Sequence, residues 1–210
     1  MYKVFYFNPL RVCTYLVSGS GGRCVIIDPG AMTLREHQRL EEAVTSAGLD
    51  PVAILLTHGH FDHVLGLEMA AEQWDVPVYM NSADRGVFES SVGICEELGL
   101  PYRPYHGPRE ELCEGELKLP GGLAFEVIHT PGHTQGGVCF HKKDEGLLFC
   151  GDTIFQGSVG RTDHPGGNFE QLIDSIKQKI FTLPAATRLL PGHGYDSTVE
   201  EEIATNPFIR

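Results

Sequence analysis

The stretch LLTHGHFDHVLG (Leu55–Gly66) sets three histidines and an aspartate within the six residues His58–His63. An apolar run leads into it and a helix-like run leads out. Imidazole and carboxylate side chains at this density suit a first-row divalent ion, which takes about four such ligands. His58 and His60 are two apart and can point to one side of an extended loop. Asp62 and His63 are adjacent and sit where a helix starts, so one loop can feed two neighbouring points in space. Four candidate ligands exceed what a single site with an open position uses, and they suggest two ions. Three further segments end a strand on a coordinating residue beside glycine: HTPGHTQGG supplies His133, LFCGDTIF supplies Asp152 and LLPGHGY supplies His193. Glycine permits the sharp bend and close backbone approach that a ligand turn needs. Two sites sharing one carboxylate would use all seven residues. A lone histidine is more often structural or on the surface, and that is the reading for His37, His106, His129, His141 and His164. For the seven it would require a coincidence at four separate strand ends.

Strands and helices must bring these residues together. KVFYF (3–7), RVCTYLVS (11–18) and RCVIID (23–28) are apolar and β-branched or aromatic, bounded by turn residues, and predict a strand meander. TLREHQRLEEAVTSAG (33–48) has helical period with Thr33 as cap and Gly48 as stop. VAILLT (52–57) is a continuous apolar run and predicts a buried strand ending at His58. VLGLEMAAEQW (64–74) reads as a helix, VPVYM (76–80) as a strand and SADRGVFESSVGICEELG (82–99) as a helix. The Pro-rich stretch 97–112 reads as a loop, either a connection or a flap over a site. Residues 115–120, 123–130, 137–143 and 146–152 form a second β region, followed by a helix over 168–183 capped by Asn168, a strand and turn over 187–194 and a last helix over 198–206. The order suggests an α/β fold of two similar halves, each a sheet with helices on one face. Ligands in α/β folds gather beyond the carboxyl ends of strands, which is where the candidates lie.

Composition narrows the function classes. The chain has 210 residues, enough to bury a sizeable core, with 41% hydrophobic and 21% charged residues. Its formal net charge of -12 repels nucleic acid and anionic membranes, so neither is an expected partner. The N-terminal MYKVFYFNPL lacks a basic region followed by a long apolar core, and the six cysteines include no C-x-x-C. A cytoplasmic location with buried thiols is expected. Oligomeric state leaves no trace in the sequence.

The motifs also carry a family resemblance. THGHFDH resembles the T-H-x-H-x-D-H signature of the metallo-β-lactamase superfamily, and PGHTQGG, GDTIF and PGHG match its later motifs in order. The resemblance runs from VIIDPG to NPF and implies a four-layer αββα sandwich, formed here by a single metallo-β-lactamase-fold domain over 1–210 with the metals at one edge of the sheets. It implies that His58, His60 and His133 hold one ion, that Asp62, His63 and His193 hold a second, and that Asp152 bridges them. Asp62 takes a catalytic part as well, and Asp28 matches an aspartate that supports the ligands from behind. The implied cofactors are two divalent ions, zinc first, with iron or manganese as alternatives. Two such ions sharing a water would provide a bridging hydroxide at neutral pH to attack a carbonyl carbon, and no serine or cysteine nucleophile is needed.

Within the superfamily, the bridging Asp152 points away from true β-lactamases and His60 points away from the diiron flavoprotein branch. The closest match is to glyoxalase II-like thioesterases (hydroxyacylglutathione hydrolase-like), which implies a small-molecule thioester such as S-lactoylglutathione as substrate. A form without the C-terminal helical region of full-length glyoxalase II, and so without its basic residues, is expected. Arg161 aligns with a glutathione-binding lysine and Tyr195 with a tyrosine, but Asp163 falls near a second tyrosine position. The competing reading of Arg161 is an ion pair with Asp163. GRTDHPGGN, IFTLP and STVEEEIATNP also resemble persulfide dioxygenases, which would bind one iron through His58, His133 and Asp152. A non-catalytic binding module would predict lost ligands, and none of the seven is lost.

Overall fold

A computed structural model describes residues 1–209. Its first sheet contains β1 (Tyr2–Phe7), β2 (Val12–Ser18), β3 (Arg23–Ile27), β4 (Asp50–Leu55), β5 (Val78–Met80) and β6 (Arg109–Glu111), side by side in that order. The first three strands form an antiparallel meander, and β3 to β6 run parallel. Parallel neighbours need crossovers. These are α1 (Leu34–Ser46) between β3 and β4, α2 (Phe61–Val64) and α3 (Leu67–Trp74) between β4 and β5, and α4 (Arg85–Glu97) between β5 and β6. Thr33 and Glu36 form a reciprocal capping box that starts α1.

The second sheet contains β7 (Gly115–Leu119), β8 (Leu123–His129), β9 (Val138–Lys142) and β10 (Leu147–Gly151). A small hairpin, β11 (Ile154–Phe155) and β12 (Ser158–Val159), and α5 (Phe169–Ser175) intervene before β13 (Arg188–Pro191), β14 (Ser197–Thr198) and α6 (Val199–Thr205). The spatial order is β14-β13-β10-β9-β8-β7.

Alternation along the strands sets the layers. In β3, Cys24 and Ile26 join the cluster under Leu40, Leu67 and Phe88, which come from α1, α3 and α4. Val25 and Ile27 point the other way, to a cluster with Phe125, Phe140 and Phe149 of the second sheet. In β10, Leu147 and Phe149 face that middle cluster, while Leu148 and Cys150 face Leu172, Ile176 and Val199 outside it. A strand buried on both faces must be covered on both, and the outcome is the four-layer α/β sandwich, αββα, that the motifs imply. Burying each phenylalanine of the middle layer contributes about 1.5–3 kcal/mol. No helix among the described residues is long and apolar enough to cross a membrane.

Two predicted helices are interrupted. The helix expected over 64–74 breaks at Gly66, where a Cβ would stand 2.6 Å from the Ala31 carbonyl oxygen and 2.8 Å from that of Pro29. The backbone N–H of Gly66 donates to the Pro29 carbonyl at 2.8 Å, so the chain is pinned against the turn after β3. The helix expected over 168–183 is α-helical only to Ser175 and continues as a π-helical turn, Ile176–Ile180, both of whose end residues are fully buried. The β6 strand lies within the stretch read as a loop.

Candidate metal centre

β3 and β4 run parallel, as do β10 and β13. β8 and β10 also share a direction, since each is antiparallel to β9. The carboxyl ends of β3, β4, β8, β10 and β13 deliver Asp28, the His58–His63 loop, His133, Asp152 and His193 in turn. Asp28 sits at φ 51°, a left-handed conformation that aspartate tolerates better than most residues and that turns its carboxylate inward.

The structure brings the seven predicted residues together. His58, His60 and His133 form one triad and Asp62, His63 and His193 another; within each, one candidate ligand atom per residue lies within 4.8 Å of the others. His60 Nδ1 is 2.9 Å from His133 Nε2. Asp62 Oδ2 is 3.0 Å from His193 Nε2 and 3.7 Å from His63 Nε2. Asp152 lies between the triads: Oδ1 is 3.3 Å from His63 Nε2, and Oδ2 is 3.6 Å from His133 Nε2 and 3.8 Å from His193 Nε2. Asp28, His58 and His63 meet the same distance criterion. Both Asp28 oxygens are already engaged there: Oδ1 accepts from the Thr57 backbone N–H, and Oδ2 accepts from Thr57 Oγ1 and lies 2.8 Å from His63 Nδ1.

The hydrogen bonds around the rings define their tautomers. His133 Nδ1 donates to the Arg161 carbonyl and His193 Nδ1 to the Leu10 carbonyl, because a carbonyl can only accept. His63 Nδ1 donates to Asp28. Thr57 Oγ1 gives its hydrogen to Asp28, so His58 Nδ1 donates to Thr57 Oγ1. All four rings thus turn Nε2 toward the triads, and His60 turns Nδ1. Buried polar atoms are normally partnered, yet His58 Nε2, His63 Nε2 and Asp152 Oδ1 are buried without a hydrogen bond. Orphaned imidazole and carboxylate atoms converging on one spot fit divalent cations.

Burial pushes His58 well below the usual histidine pKa, and burial helped by His133 pushes His60 down to about 3. Both are neutral rings suited to a cation. Burial would also lower His63, but Asp62, Asp152 and Asp28 outweigh it and hold its pKa well above 6.5. Burial would raise Asp152, but His63 and its neighbours hold it well below the carboxylate range. In the metal-free protein His63 therefore keeps a second proton at neutral pH, on the atom an ion would use. Ion uptake at the Asp62–His63–His193 triad should expel that proton, and its affinity should rise with pH until His63 no longer holds it. Asp62 likewise raises the His193 pKa against the effect of burial, so titration with a divalent ion at pH 7 in lightly buffered indicator dye should release protons on binding at this triad; release of none would contradict the assignment.

The buried carboxylate of Asp84 was not legible as a site residue. Its Oδ2 accepts from the Gly59 backbone N–H at 2.9 Å and from Thr134 Oγ1 at 2.8 Å, and Oδ1 accepts from the Gly136 backbone N–H at 2.6 Å. It thus ties the loop carrying His58 and His60 to the loop carrying His133. Asp84→Ala would strand those donors, costing roughly 2–4 kcal/mol of stability. Urea unfolding should show that loss, and metal titration a weakened first triad.

Of the remaining expected residues, Arg161 lines the cleft over the triads, and its guanidinium is held by both Asp163 oxygens at 2.8 and 2.7 Å. Tyr195 is 76% exposed and is not among the residues lining that cleft. His164, read as a surface residue, stands in the cleft wall with its ring 5.6 Å from that of His60.

The class that this fold and this edge define is the metal-dependent hydrolase. The chain belongs to the metallo-beta-lactamase superfamily, whose model matches residues 8–193. It is 37% identical over 207 residues to the probable metallo-hydrolase YqgX of Bacillus subtilis, covering 96% of this chain and 94% of that one. It is 38% identical over 186 residues to the hydroxyacylglutathione hydrolase GloC of Haemophilus influenzae, covering 88% of this chain and 86% of that one. Among solved structures, it resembles BLEG-1 B3 metallo-beta-lactamase (TM-score 0.90, 35% identity, 100% and 99% of the two chains). It also resembles the di-iron-bound form of TTHA1623 (0.88, 39%, 98% and 99%). ETHE1 from Myxococcus xanthus matches less closely (0.79, 26%, 99% and 83%).

Proposed function

We propose that this protein is a binuclear, glyoxalase II-like thioester hydrolase acting on a small molecule. The observation that carries this reading is the pair of triads with Asp152 between them. On this reading His58, His60 and His133 would hold one ion and Asp62, His63 and His193 the other, with Asp152 lying between the two triads and available to both. Two ions bound there would supply an activated water at neutral pH and positive charge where an acyl carbonyl becomes an oxyanion. The residues do the rest. The Nδ1 bonds of His133 and His193 to backbone carbonyls hold those rings in one tautomer and orientation. Asp28 does the same for His63. Asp62 and Asp152 carry the negative charge that favours two cations side by side. Imidazole and carboxylate donors accept zinc, iron or manganese, and the di-iron form of TTHA1623 keeps iron beside zinc as a candidate.

The likeness to the hydroxyacylglutathione hydrolase GloC favours a thioester, and the resemblance of GRTDHPGGN, IFTLP and STVEEEIATNP to persulfide dioxygenases favours a second reading, one iron on His58, His133 and Asp152 carrying out persulfide oxygenation. Metal content per chain, with thioester hydrolysis assayed without O₂, separates them. Two ions and anaerobic turnover of S-lactoylglutathione or an N-acetylcysteamine thioester are expected. One iron, no hydrolysis and O₂ uptake on glutathione persulfide would overturn the thioesterase.

A further inference from the structure

The cleft over the triads encloses about 1050 Å³. Phe61, Val87, Ile94, Phe155 and Val159 line it, and all are only partly buried. Val159 also packs on the outer cluster of the second sheet and Phe155 meets the His193 ring, and the remaining faces of these side chains make one wall of the cleft apolar. Along α4, Gly86, Val87, Ser90 and Ile94 all line the cleft, and their three- and four-residue spacings make a stripe on one helix face. Gly86 stands out in that stripe. A Cβ there would meet nothing within 4 Å, so protein packing does not require glycine. A helix is weakened by glycine relative to alanine. What a side chain at 86 would occupy is the cleft. Among the described lining residues Arg161 is the one lysine or arginine, and its guanidinium is bound by Asp163. A substrate carboxylate arriving there would have to displace Asp163 and meet its charge.

We infer that the cleft takes a thioester with an aliphatic acyl chain on an uncharged thiol, the chain lying along the α4 stripe over Gly86 and Val87. This rests on the thioesterase reading and narrows it away from the dicarboxylate glutathione. Apolar surface removed from water favours each added methylene, so the selectivity should follow chain length.

The test uses the metal-loaded enzyme and three thioesters: acetyl-N-acetylcysteamine, hexanoyl-N-acetylcysteamine and S-lactoylglutathione. The hexanoyl compound should show kcat/KM about tenfold or more above the acetyl compound, with S-lactoylglutathione below the hexanoyl. Gly86→Leu should cut kcat/KM for hexanoyl about tenfold more than for acetyl, because leucine would fill the space the chain uses. The selectivity of the unmodified enzyme needs no variant and stands if Gly86→Leu fails to fold. Equal acetyl and hexanoyl rates, or faster S-lactoylglutathione, would overturn this inference and leave a thioesterase. A Gly86→Leu effect equal on both would remove the chain from α4. No turnover of any of the three by a protein holding two ions would sink the thioesterase reading itself, and this inference with it.

Discussion

Asp62→Ala should yield a folded protein that keeps one ion and has lost about a thousandfold or more of its hydrolytic rate. An ion beside the reacting oxygen is worth several kcal/mol of charge stabilisation, and each ~1.4 kcal/mol is tenfold in rate. Asp62 is the one carboxylate belonging solely to its triad, where it faces His193 at 3.0 Å and His63 at 3.7 Å. Its side chain makes contacts within the cluster and holds no strand or helix in place, so the sheets should remain. His58→Ala is the companion for the first triad, with the same expected loss of rate. Elemental analysis, circular dichroism and the thioester assay read the three quantities separately. Full activity in either variant would sink the ligand assignment.

Asp28→Asn is expected to act through a proton rather than a missing ligand. Asp28 accepts from the Thr57 backbone N–H and Oγ1 and from His63 Nδ1. An asparagine whose oxygen stays on the Thr57 N–H presents its NH₂ to His63. The ring then accepts at Nδ1 and carries its hydrogen on Nε2, the atom turned to the second triad. Flipping the amide instead leaves a buried backbone N–H unpaired, at about 1–3 kcal/mol. Affinity for the second ion should fall roughly 10–100-fold, and because the NH₂ also replaces the oxygen that accepts from Thr57 Oγ1, the bond that orients His58 in the first triad is disturbed as well. A stepwise metal titration distinguishes the two sites, and unchanged affinity at both would exclude this role for Asp28.

What could be read from the sequence was whatever has a local pattern. Continuous apolar runs such as VAILLT and GLLFCGD demand cover on both faces, and so the layers follow from them. The loop His58–His63 confines four donors to one strand end, and glycines mark the turns at His133, Asp152 and His193. What escaped is held by distant partners. Asp84 begins an unremarkable helix, and its bonds reach Gly59 and Gly136, 25 and 52 residues away. The break at Gly66 depends on the backbone of Pro29 and Ala31, invisible to a helical period. The β11–β12 strands are two residues each, too short for any alternation. His164 had no flanking sign of a site and reaches His60 only through the turn after β12.

Each triad takes two members from the first half of the chain and its third, His133 or His193, from the second. Neither half alone can gather a complete set of donors. Ion capture is therefore thermodynamically linked to the docking of one sheet on the other, with Asp84 spanning the same seam. Chelation should loosen the association of the halves before it melts either sheet, and a chain cut between β6 and β7 should reassemble more tightly with divalent ions present than without.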